Sequence, residues 1–93
     1  MYRVEFSKLA KKRFDKLDKP MQKRIVAKLV EIRSGDDPYK FFEPLKGTSA
    51  RKARAGDYRI IADVDKKNHV IYVLTIGHRG EIYRKLPEFE LRA

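Results

Sequence analysis

Arg51-Lys52-Ala53-Arg54-Ala55-Gly56-Asp57-Tyr58-Arg59-Ile60-Ile61-Ala62-Asp63-Val64 decides the architecture. Its centre, Ala55-Gly56-Asp57, is turn chemistry, and the flanking residues change from helical to strand-like periodicity, so 50–55 and 58–64 read as two strands of a hairpin. Downstream, Asp65-Lys66-Lys67-Asn68-His69 is a second polar turn and residues 70–78 a third strand. Short turns make neighbouring strands antiparallel, which predicts a three-stranded meander. In the third strand, alternation assigns Val70, Tyr72, Leu74 and Ile76 to one face and Ile71 and Val73 to the other. Apolar residues on both faces mark it as a central strand.

Upstream, Tyr2-Arg3-Val4-Glu5-Phe6 alternates as a half-buried strand does, and Ser7 is placed to cap a helix. Behind Ser7, Leu9, Ala10, Phe14 and Leu17 form one helical stripe, with Lys8, Lys11, Lys12, Lys16 and Lys19 pointing elsewhere. Pro20 suits the first turn of a second helix, whose Met21, Ile25, Leu29 and Ile32 recur at helical spacing until Ser34-Gly35. A short turn joins the two, which predicts an antiparallel helical hairpin. Residues 35–49 combine Gly35, Pro38, Pro44 and Gly47 with Tyr39, Phe41, Phe42 and Leu45, a connection tacked down by its apolar members. The expected fold is a single α+β domain over residues 1–93: N-terminal strand, helical hairpin, then antiparallel meander, with the helices on one face of a mostly antiparallel sheet. The opposite face or its rim is left for function.

The length, 93 residues, fits one domain, and the 42% apolar content suffices for one small core. A domain of this size buries only about 60–65% of its unfolded surface, so function belongs on an exposed face. No run of about 18 apolar residues is present to span a bilayer, and no apolar segment follows the N-terminus, so a cytoplasmic address and no membrane partner are expected. The absence of cysteine excludes disulfides and thiol chemistry; with only two histidines, neither a metal centre nor a cofactor is expected. The net charge of +10 implies a polyanionic partner such as nucleic acid, or an acidic protein.

Most of that excess lies on the two helices. Lysines there are either an ordinary solvated face or sequence-independent phosphate contacts; Lys11, Lys12 and Lys16 are the candidates for RNA. A second basic group, Arg51, Lys52, Arg54 and Arg59, crowds into nine residues of the hairpin, and Arg79 follows the last strand. Planar guanidinium groups on rigid strands hold a phosphodiester bidentately, although charge also blunts an edge strand against aggregation. Tyr83 is a candidate stacking platform or proton donor, whereas His78 reads as a hydrogen-bonded structural residue and His69 as an exposed one. Gly56 and Gly77 are isolated and build no phosphate-cradling loop.

Leu45-Lys46-Gly47, Arg54-Ala55-Gly56-Asp57-Tyr58-Arg59-Ile60-Ile61, and Ile76-Gly77-His78-Arg79 with Tyr83 together resemble the RelE/ParE superfamily of toxins from prokaryotic toxin–antitoxin pairs, whose element order is also the one read above. The resemblance covers nearly the whole chain. It implies a RelE-like toxin that cuts mRNA in the ribosomal A site, needs no cofactor, and is restrained by a RelB-like antitoxin; the alternative branch, ParE, poisons DNA gyrase without RNA chemistry. It assigns the catalytic set to Lys52, Arg59, Arg79 and Tyr83, with Arg51 and Arg54 as further RNA contacts. A second family lysine falls on Ala50, so Lys52 is either the base or a charge stabiliser, with Arg51, Arg54 and Arg59 close by in sequence. Antitoxins of such toxins wrap them with helical or extended segments, and Phe41, Phe42, Leu86, Phe89 and Leu91 are the candidate docking residues.

Overall fold

The computed structural model describes residues 1–82, so Tyr83, Leu86, Phe89 and Leu91 lie outside the described residues. The elements are β1 (Arg3–Phe6), α1 (Lys8–Asp15), α2 (Lys19–Ser34), a 3₁₀ turn (Pro38–Lys40), β2 (Glu43–Pro44), β3 (Arg51–Ala55), β4 (Tyr58–Asp65), β5 (Val70–His78) and α3 (Arg79–Ile82). The strands form one sheet in the order β1-β5-β4-β3-β2. β2, β3, β4 and β5 pair antiparallel, whereas β1 runs parallel to β5, from Arg3 opposite Val70 to Phe6 opposite Val73, so the sheet is mixed. β5 is flanked on both sides, as its two apolar faces require. No helix among the described residues is long and apolar enough to cross a membrane.

α1 begins at the expected cap, Ser7, and α2 is capped by Asp18. Ser7 Oγ accepts from the Ala10 N–H at 3.0 Å, and an Asp18 carboxylate oxygen accepts from the Met21 N–H at 3.0 Å. Pro20 sits in the first turn of α2, where its missing N–H costs nothing. α1 ends at Asp15, so Leu17 belongs to the connecting turn and not to the helix. α1 packs on β5 and β1, and α2 on β1 and β3. Their apolar stripes, with Ala10, Ile25, Leu29 and Ile32 buried, meet Ile60, Ala62, Ile71, Val73 and Ile76 of the sheet. Ala53 and Ala55 on β3 are small enough for α2 to lie close over them.

Ile76 departs from the strict alternation, which would place it with Tyr72 and Leu74. Ile61 pairs with Thr75 and Ala62 with Val73, leaving Leu74 as an extra residue in β5. This bulge shifts the period by one, so Ile76 joins Ile71 and Val73 beneath the helices while Leu74 and Tyr72 remain on the opposite face. There a second, smaller cluster forms from Leu45, Ala50, Ile61, Leu74 and Ile82. α3 folds back over that face because Gly77 carries no side chain: a Cβ there would stand 2.9 Å from Ile82 Cδ1.

Candidate nucleic-acid interface

Strand parity divides the basic hairpin into two sets. In the β3–β4 ladder Lys52 stands opposite Ile61, and Arg54 opposite Arg59. Ile61 belongs to the cluster on the side away from the long helices, so Lys52, Arg54 and Arg59 share that side. They line one cavity of about 260 Å³ with Lys28, Phe41 and Glu43. Arg59 is only 9% exposed. Its Nη1 donates to the Gly56 carbonyl at 3.1 Å and to the Tyr58 carbonyl at 2.9 Å, so the turn that the sequence marks by Gly56 also fixes this guanidinium. Two arginines directly opposite one another repel, at about 0.2–1 kcal/mol, and a bound anion would relieve the repulsion.

Arg51 points the other way. Its guanidinium lies 4.0 Å from the centre of the Tyr39 ring, and Lys66 Nζ lies 4.2 Å from the same ring and 3.3 Å from Asp37. Arg51 therefore fastens the 3₁₀ turn to the sheet and does not share a face with Lys52. The Tyr39 N–H, more than the neighbouring Lys66 and Lys40, holds the Asp37 carboxyl below its ordinary value against the opposing effect of desolvation. Ala50, 2% exposed, is packed in the apolar cluster beside Leu45 and Ile61, so this position offers no charge.

Arg79 is exposed and opens α3; its N–H donates to the Asp57 carbonyl at 2.8 Å. Arg59 pairs with Gly77, two residues earlier, so Arg59 and Arg79 occupy the same end of the β4–β5 ladder. Tyr83, the fourth residue of the expected set, lies outside the described residues. Lys11, Lys12 and Lys16 are exposed on and just after α1, with Lys11 Nζ 2.7 Å from Asp15. Phe42 is 5% exposed and belongs to the core, so it presents no surface for docking; the connection that holds it folds inward because its apolar residues complete that core. Phe41 is half-buried, with Lys28 Nζ 5.8 Å from its ring centre, and borders the Lys52 cavity.

Glu43 is a residue the sequence pattern missed. It stands opposite Lys52 in the two-residue strand β2 and is, among the described residues, the one carboxylate lining that cavity. A strand of two residues ending in Pro44 is too short for any periodicity to betray it. The histidines have structural employment: His78 Nδ1 accepts from the Gly80 N–H at 3.2 Å and its ring meets Tyr58 edge to face, while His69, at φ 56°, stacks on Tyr2 at 4.9 Å.

Residues 4–83 match the family described as the ParE toxin of the type II toxin–antitoxin system parDE. Toxin RelG of Mycobacterium tuberculosis is 33% identical over 89 residues, spanning 90% of this chain and 98% of that protein. Among solved structures, the RelE–RelB complex of Pyrococcus horikoshii OT3 matches at 33% identity and a TM-score of 0.66, over 85% of this chain and 96% of that one. The intact Escherichia coli RelBE toxin–antitoxin complex matches at 25% identity and a TM-score of 0.68, over 84% and 96%.

Proposed function

Because the chain belongs to the RelE/ParE superfamily of type II toxin–antitoxin toxins, we propose that it is a ribosome-dependent endoribonuclease that cuts mRNA in the A site and is held in check by a RelB-like antitoxin. The observation that carries this reading is the gathering of Lys52, Arg54 and Arg59 with Glu43 around one cavity, which Lys28 of α2 also lines. Cleavage by the neighbouring 2′-hydroxyl needs a base for that hydroxyl, charge stabilisation for the pentavalent phosphorus, and an acid for the departing 5′-oxygen.

A carboxylate is ordinarily ionised at neutral pH whereas a lysine holds its proton, so Glu43 takes the 2′-hydroxyl proton and Lys52 stabilises charge. The oxygen so freed bonds to phosphorus as the bond to the 5′-oxygen breaks. Arg59 and Arg79 clamp the phosphate oxygens, and Tyr83 stacks on the base and aids proton delivery to the leaving group. Nothing in this set forces the RNA into in-line geometry by itself, which is the task the ribosome performs. Lys11 and Lys12 hold the protein on ribosomal RNA by phosphate contacts, in the cytoplasm where its substrate is. Antitoxin partnership rests on relatives whose structures are RelB–RelE complexes, with Phe41, Leu86, Phe89 and Leu91 as contacts.

The test is translation of a defined message on purified ribosomes with antitoxin-free protein, mapping cuts by primer extension. Cuts within the A-site codon are expected, and an intact message sinks the proposal. Membership of a family described by its ParE toxins favours one competing reading, gyrase poisoning. Broken DNA in a supercoiling assay, with the message undamaged, would establish it in place of the first.

A further inference from the structure

A second basic hollow lies at the end of the sheet, at the corner where the α1–α2 turn meets the paired ends of β4 and β5 and the start of α3. Two adjoining cavities, of about 300 and about 530 Å³, share Lys16, Leu17 and Tyr58. Each lies in or near the range of small-ligand sites, about 300–1,000 Å³. The floor is apolar and aromatic: Leu17, Met21, Ile76 and the half-buried Tyr58. The rim is cationic. Arg13 is fixed by a 2.8 Å bond from its Nη1 to Thr75 Oγ1, Lys16 is exposed, and the Arg24 guanidinium lies over Gly56, where any side chain would collide with it. Among the described residues two carboxylates border the hollow, Glu81 and Asp18, the latter engaged in capping α2.

We propose that this groove seats a nucleotide of single-stranded RNA next to the bond that is cut, its base on Tyr58 and its phosphates against Lys16 and Arg24. The inference rests on the nuclease reading. An aromatic floor with a basic rim is the combination that binds unpaired RNA, because every base offers a stacking face and every linkage a phosphate. An acidic peptide would use the rim and leave the ring without a purpose. Continuity supports the same occupant: Gly77 lines the groove and pairs with Arg59, and Tyr58 and Arg59 are successive residues directed to opposite faces of β4. A strand rounding this end of the sheet meets Arg59 on one side and Tyr58 on the other.

The experiment uses the full chain on ribosomes programmed with a message carrying 2-aminopurine beside the cut codon. Tyr58→Leu, Tyr58→Phe and the surface double variant Lys16→Ala/Arg24→Ala are compared with wild type, each checked for a native melting transition. Tyr58→Leu and the double variant should raise KM about tenfold, the size of one lost stack or two lost phosphate contacts, with the loss falling on KM and not on kcat. Tyr58→Phe should restore wild-type KM, and 2-aminopurine fluorescence should be quenched by wild type and not by Tyr58→Leu. Wild-type cleavage with KM and quenching unchanged in the folded double variant and in Tyr58→Leu overturns the groove alone. Weakened antitoxin binding with unchanged cleavage overturns it in favour of an acidic peptide. A wild-type protein that leaves the message intact overturns the nuclease reading and this inference together.

Discussion

Ser7→Ala should be among the most damaging conservative changes outside the core. The Ser7 hydroxyl accepts from the Ala10 N–H at 3.0 Å, capping α1, and donates to the Leu74 carbonyl at 2.7 Å. Leu74 is the bulged residue of β5, beyond the last pair made by β1 and without a partner in β4, so Ser7 supplies what the ladder there does not. Losing the cap costs about 1 kcal/mol, and leaving a part-buried carbonyl unbonded costs about 1–3 kcal/mol. The sum is about 2–4 kcal/mol, equivalent to a fall in Tm of about 10–20 °C for a domain of this length. Urea unfolding followed by circular dichroism measures it, with m expected to stay constant. Ser7→Thr keeps both bonds and should be near neutral, while Ser7→Asp keeps the cap but cannot donate to Leu74, isolating the second contribution. A Ser7→Ala protein within about 0.5 kcal/mol of wild type would refute the reasoning, since neither bond would then matter.

Arg59→Lys keeps the charge but loses the fork held by the Gly56 and Tyr58 carbonyls; cleavage on ribosomes should fall about 10²–10³-fold while ribosome affinity in a sedimentation assay barely changes. Glu43→Gln should lower kcat about 10²–10⁴-fold and abolish the acidic limb of the pH–rate profile, and a profile that keeps this limb would return the role of base to Lys52. Asp37 has a lowered folded pKa, so its stabilisation of the 3₁₀ turn is complete above the unfolded value of 3.8 and is lost as pH falls through the folded one. Amide exchange at Tyr39 should accelerate on acidification across that window in wild type but be independent of pH, after correction for intrinsic rates, in Asp37→Asn.

Strand boundaries, the Ser7 cap, the Pro20 start of α2 and its buried stripe were legible because each has a local chemical signature. The face of Ile76 was not: a bulge leaves no mark in the residues themselves, and one inserted position reverses the parity of everything beyond it. The parallel pairing of β1 with β5 is likewise set by where the helices deliver the chain, not by the composition of Tyr2–Phe6. Within the site, grouping Arg51 with Lys52 overlooked an alternation that was present in the sequence, since adjacent strand residues cannot share a face. Glu43 was hidden differently, because only pairing with β3 turns a loop carboxylate into a neighbour of Lys52.

The pairing of β1 with β5 also dictates when the molecule can exist. Ser7 and Leu74 are 67 residues apart in the chain, and closing a loop of that length costs about 3.7 kcal/mol of entropy before its contacts reward it. Residues 3–6 have no strand partner until residues 70–73 have been made. During synthesis α1 and α2 emerge with their apolar stripes uncovered, and the sheet that buries them closes only when β5 leaves the exit tunnel. A ribosome making this chain thus reads beyond residue 78 before any folded copy appears.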